Sequence, residues 1–104
     1  MPYGQALQCL SDPTRRRVFE RLRSGPKSVG VLAKGLPVSR PAVSQHLKTL
    51  KGARLVSVRA DKQKRIYQLN PEGMDEVSDW IARIRAFWNP RLDALEEAIK
   101  RDKP

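Results

Sequence analysis

The chain has 104 residues, 39% apolar and 31% charged, enough for one soluble domain with a single modest core, and no run approaches the ~18 apolar residues of a membrane span. Cys9 is the only cysteine, which excludes an intrachain disulfide and a multi-cysteine zinc site, and Met1-Pro2-Tyr3-Gly4-Gln5 lacks the basic-then-apolar order of a signal peptide, so a cytoplasmic protein is expected. The net charge of +10 is unevenly spread, with +12 on residues 1–70 and −2 on residues 71–104, an excess that suits a phosphate backbone or, more blandly, a solubilising surface.

Tyr3, Ala6, Leu7 and Leu10 fall at i, i+3, i+4 and i+7 and predict a short first helix. Asp12 and Pro13 are a cap and a first-turn proline, so a second helix starts there. It turns Val18, Phe19 and Leu22 inward and crowds Arg15, Arg16, Arg17, Arg21 and Arg23 on its exposed face, until Ser24-Gly25-Pro26 stops it. The consecutive arginines cannot all face one surface, because neighbouring helical residues point about 100° apart. At least one is expected to pair with an acid or to support a dimer.

Ser28 caps a third, short helix with Val29, Val31, Leu32 and Leu36 as core candidates and Gly35 at its end. After Leu36-Pro37-Val38, Ser39 caps the next helix, with Pro41 in its first turn and Val43, Leu47 and Leu50 as its apolar stripe. That helix runs to Lys51 or Gly52. Leu55–Arg59 and Arg65–Asn70 flank the polar stretch 60–64 and read as a two-stranded hairpin with a basic tip. Pro71 opens the last helical region. Met74, Val77, Ile81, Ile84 and Trp88 step by three and four, and Trp80 and Phe87 widen that face. Asn89-Pro90 is expected to kink or restart the helix, after which Leu92, Leu95 and Ile99 continue one residue out of phase.

Two short helices joined by a tight turn (residues 28–52), a basic hairpin (55–70) and a final helix (71–101) make a winged helix-turn-helix, mainly α with a small β-hairpin in the order α-α-α-α-β-β-α, as one domain over 1–104. In such a fold the second helix of the pair enters the major groove. Arg40 and Gln45 are the candidate base readers, since Arg bonds guanine and Gln adenine bidentately. Ser39, Pro41, Ser44 and Lys48 fit backbone contacts. His46 either contacts a phosphate or the groove edge or packs internally. Arg59, Lys62, Lys64 and Arg65 on the hairpin fit phosphates or the minor groove. The lone histidine and lone cysteine lie in different elements and no Gly-rich phosphate loop occurs, so neither an enzyme nor a cofactor is expected.

These residues resemble the ArsR-type winged-helix repressors of bacteria and archaea. The resemblance rests on Leu10-Ser11-Asp12-Pro13-Thr14-Arg15-Arg16, on Ser39-Arg40-Pro41-Ala42-Val43-Ser44-Gln45-His46-Leu47, on Leu55-Val56, and on the hairpin ending Tyr67-Gln68-Leu69. It implies a homodimeric transcriptional regulator, usually a repressor, on an inverted-repeat operator, with the first and last helices at the dimer interface. Leu7, Met74, Val77, Trp80, Ile81, Ile84, Phe87, Trp88, Leu92 and Leu95 are the expected interface residues. Many members sense metals through a Cys-x-Cys pair before the reading helix, where this chain has Ser28-Val29-Gly30-Val31-Leu32-Ala33. The last helix also lacks His and Cys, so no transition metal is expected. Arg54 stands where the family commonly has Gly; a left-handed Arg is sterically costly, and Gly52 is available as the stop. Cys9, on the first helix, is either an inert buried residue or a thiol sensor. The alternative to a specific regulator is a winged-helix module that binds DNA without sequence preference or docks a protein.

Overall fold

A computed structural model describes residues 2–102, with side chains from residue 4 onward. Tyr3, expected on the apolar face of the first helix, has its side chain outside the described residues.

Helix α1 spans Pro2–Cys9 and α2 spans Pro13–Glu20. Asp12 is the cap of α2 as expected, its carboxylate accepting the Arg15 amide at 2.9 Å. A 3-10 turn, Arg21–Ser24, extends α2 before Gly25 turns the chain at φ 126°. A short strand β1, Lys27–Ser28, leads into α3, Val29–Ala33. Ser28 is thus both a strand residue and the cap of α3, its hydroxyl accepting the Val31 amide. Gly35, at φ 77°, follows α3 in the left-handed conformation expected at a helix end. Helix α4 is Arg40–Gly52, β2 is Val56–Asp61, β3 is Lys64–Leu69, and α5 is Pro71–Arg101.

The sheet has three antiparallel strands in the order β1-β3-β2. The hairpin is as expected, with Val58 opposite Tyr67 and Asp61 opposite Lys64. The third strand was not: Lys27 and Ser28 pair with Tyr67 and Ile66. Two residues are too few to show a periodicity, so β1 leaves no pattern to read.

The core is formed by Val18, Leu22, Leu32, Val43, Leu47, Leu50, Leu55 and Val56, with Ala6, Cys9 and Tyr67 also buried. It takes one or two side chains from nearly every element and sits beneath α4. Val31, expected in the core, is 47% exposed, because α3 is too short to bury more than one stripe.

Among the described residues, no salt bridge joins the arginines of α2 and of the turn after it to an acid. Arg15 donates to the Cys9 carbonyl and Arg16 to the Leu10 carbonyl, both at 3.1 Å, and so cap the end of α1. Arg21 donates to the carbonyls of Leu32 and Lys34 at the end of α3. Each brings a cation to the negative end of a helix dipole.

One expectation about backbone geometry is overturned, and one of the two alternatives in another is removed. Arg54, not Gly52, takes the left-handed conformation after α4, at φ 63°. Its side chain meets Glu76 at 2.6 Å and Glu72 at 3.4 Å, which ties the α4–β2 link to the start of α5. Gly73, buried in the first turn of α5, lies so close to this link that a Cβ there would stand 1.7 Å from the Arg54 carbonyl oxygen. The second concerns Pro90. Helix α5 continues through it as one 31-residue element and is not restarted at Asn89. Proline leaves the Ala86 carbonyl without its usual donor, and in an exposed helix water can satisfy that group. Arg91 donates to the neighbouring Phe87 carbonyl at 2.6 Å.

Candidate nucleic-acid interface

Helix α4 is fixed from within. Val43, Leu47 and Leu50 are fully buried, and α4 packs on α2 and α3 through them. The Ser39 hydroxyl accepts the Ala42 amide at 3.3 Å, and Pro41 occupies the first turn, so the helix begins sharply. The inward stripe leaves Pro41, Gln45 and Lys48 exposed on the opposite face, with Ser44 half-buried beside them. Thr49 hydroxyl donates to the Gln45 carbonyl at 3.1 Å, which leaves the Gln45 side-chain amide uncommitted by that bond.

Arg40 is exposed but leans towards α3. A Cβ at position 30 would stand 3.0 Å from its Nη2, so Gly30 leaves the guanidinium room to lie there. Arg40 shares with Ser28, Lys34, Lys64 and Arg65 a cleft of about 330 Å³ between α3, the start of α4 and the hairpin. The first residue of α4 and the start of β3, next to the hairpin turn, therefore meet in one cationic cleft. Lys34 is absent from the sequence reading; a lone lysine after a short helix gave no signal apart from the general basic excess.

His46 is half-buried, and its Nδ1 is buried without a hydrogen-bond partner among the described residues. The ring lies near the α2 cap. The Arg15 amide, and then the His46 and Arg15 side chains, hold the Asp12 carboxyl below its ordinary value, against the opposing effect of desolvation.

On the wing, Arg59, Lys62, Lys64 and Arg65 are all exposed. Their register divides them. Arg65 pairs with Ala60 on the face that carries Tyr67 and Val58, while Arg59 and Lys64 lie on the other face with Ile66 and Asp61. Lys62 sits at the tip with φ 58° and so projects from the turn itself. Cations thus clothe both sides of the hairpin.

The expected interface residues also divide. Met74 and Val77 pack against the protein's own core. Trp80 is half-buried. Leu7, Ile81, Ile84, Phe87, Trp88, Leu92 and Leu95 are exposed, and so is Ile99. Phe87 meets Trp88 edge-on, with ring centroids 5.3 Å apart, and carries the Arg91 guanidinium 3.7 Å above its ring centre. Cys9 is buried, and burial pushes its thiol up despite the nearby Arg15. Among the described residues no group of three or more His, Cys, Asp or Glu side chains could hold a metal ion, and no helix is long and apolar enough to cross a membrane.

A short capped helix with an exposed polar face, beside a cationic hairpin, defines a helix-turn-helix DNA-binding transcriptional regulator. A family model described as a helix-turn-helix domain matches residues 10–59. The HTH-type transcriptional regulator Rv2034 of Mycobacterium tuberculosis is 50% identical over 95 residues, covering 91% of this chain and 86% of that protein. The transcriptional repressor SdpR of Bacillus subtilis is 32% identical over 78 residues, covering 75% and 87%. The structure of an ArsR-like transcriptional regulator from Rhodococcus sp. RHA1 superposes with a TM-score of 0.75 at 29% identity, covering 93% of this chain and 92% of that one. The chain belongs to the ArsR family of transcriptional regulators.

Proposed function

We propose that this protein is a cytoplasmic, homodimeric repressor that binds an inverted-repeat operator and carries no resident transition metal. Each protomer inserts α4 into the major groove of one half-site, with half-sites about 34 Å apart along the duplex. Gln45 reads adenine and Arg40 reads guanine after swinging out of its cleft. Ser39, Pro41, Ser44, His46 and Lys48 hold the helix against the backbone. Arg59, Lys62, Lys64 and Arg65 straddle the flanking strand or enter the minor groove. The dimer forms through α1 and α5, from Leu7 and the exposed face of α5.

One observation carries this reading. The residues of α4 that its buried stripe forces outward adjoin a hairpin with cations on both faces. Operator selection from genomic fragments, followed by competition at fixed salt, tests it. A specific regulator holds its operator ~10³-fold or more above random duplex. Binding without that margin would favour a non-specific module.

A further inference from the structure

Along α5, the residues Ile81, Ile84, Trp88, Leu92, Leu95 and Ile99 fall within about 40° of one line at ~100° per residue. All are between 38% and 57% exposed. The one-residue phase shift at Leu92 is what keeps them aligned, because a strict 3.5-residue repeat drifts ~20° per heptad on a straight helix. Beside the first half of this stripe runs an apolar groove of about 650 Å³, floored by Leu10, Phe19 and Leu55 and edged by Ile81, Ala82 and Arg85. Arg85 is the one charged residue in its lining.

We infer that this groove and stripe receive the second half of α5 from a second copy of the chain, running antiparallel about a two-fold axis beside Pro90. The inference rests on the homodimer proposed above and fixes its register. A two-fold contact requires a surface complementary to its own reversal. The stripe meets that condition. Ile81 and Ile99 are each nine positions from Pro90, and Trp88 and Leu92 are each two. Antiparallel pairing about Pro90 sets Ile81 against the partner's Ile99, Ile84 against the partner's Leu95, and Trp88 against the partner's Leu92.

The flanks reverse into complements too. Arg85 and Glu96 lie on the same side of the stripe, five and six positions from Pro90, so each meets the other across the dimer. The partner's Glu96 thereby reaches the charged rim of the groove. Within its own helix Glu96 meets Lys100, at 3.4 Å on an exposed turn. On the opposite side Phe87 faces the partner's Ala94, a ring against a methyl. The single like-charged approach is Arg91 near its own mate beside the axis. It is relieved because Arg91 already folds back onto the Phe87 ring and carbonyl.

Cross-linking tests the register in the full-length chain with Cys9→Ser as background. Ile84→Cys and Leu95→Cys are made separately. Each alone sets its cysteines apart in the dimer, by about 18 Å at position 84 and about 15 Å at position 95 at ~1.5 Å per residue, beyond disulfide reach. Mixed and oxidised, the two should give a covalent dimer that neither gives alone. In parallel, Arg85→Glu and Glu96→Arg should each weaken dimerisation about tenfold by sedimentation, since each reverses two pairs per dimer. The double variant should restore it. These residues are exposed, so circular dichroism should show unchanged folding. A dimer that fails to cross-link on mixing overturns the register and leaves the homodimer standing. A monomer, including one whose groove takes up a small apolar carboxylate, overturns both.

Discussion

Gly73→Ala and Gly52→Ala are the same chemical change in helices of the same protein, and they should act in opposite directions. At position 73 the added methyl would stand 1.7 Å from the Arg54 carbonyl oxygen, where Cβ contacts below 3.0 Å are essentially never seen. The start of α5 must therefore move by at least about 1.3 Å from the α4–β2 link. The obstacle is backbone, so no side chain can swing aside. Overpacking of this kind costs up to ~3 kcal/mol, and the better helix propensity of Ala returns about 1. The net loss is about 2 kcal/mol, or roughly 10 °C in Tm for a domain of this size. Moving α5 also stretches the 2.6 Å Arg54–Glu76 pair and loosens Met74 and Val77 on the core. At position 52 an added Cβ meets nothing within 4 Å, and the backbone is not left-handed. Gly52→Ala should stabilise by ~0.4–1 kcal/mol, through lost entropy of the unfolded chain. Thermal melts at one fixed protein concentration measure both, which holds any dimerisation contribution constant. A Gly73→Ala protein as stable as the wild type would refute the close approach of Arg54 and α5.

Gln45→Ala and Arg40→Ala should each cost about 1–3 kcal/mol of operator affinity and relax preference at one base pair, by binding assays on singly substituted operators. Lys62→Ala should weaken all duplexes alike and make the salt dependence of binding shallower. Asp12 is held below its ordinary value by the Arg15 amide, so its contribution to stability is complete above about pH 4 and fades as pH falls through the lowered value. Asp12→Asn keeps the cap without the titration, so its melting temperature should fall less between neutral and acid pH than that of the wild type. Cys9 is buried with a raised thiol, so alkylation should be slow in the native protein and fast in denaturant, and mild oxidation should leave operator binding unchanged.

The caps were readable from the chain because each needs only one residue type at one place. Asp12, Ser28 and Ser39 all accept the amide three residues on. The buried stripe of α4 was readable from its spacing, and with it the outward residues Gln45 and Lys48. Side-chain reach was not readable. Arg15, Arg16 and Arg21 look like a basic face in sequence, yet they bond carbonyls six to thirteen residues away. The same limit hid the lean of Arg40 over Gly30 and the part of Lys34 in the cleft. Arg54 misled because a steric preference was weighed without its acidic partners, Glu72 and Glu76, which lie on the far side of the hairpin in sequence. At Pro90 local propensity argued for a kink or a restart, and a long helix propagating on both sides did not restart.

Ser28 closes β1 and opens α3, and β1 is zipped to the inner strand of the wing. The wing is therefore not a flap on a hinge. A force on its tip is transmitted through Ile66 and Ser28 into the helix that braces the reading helix. That pairing opposes a free swing of the wing, and a wing held in place loses less motional entropy on binding DNA. In the proposed dimer, release of the operator would then come from tilting one whole reading head against the other.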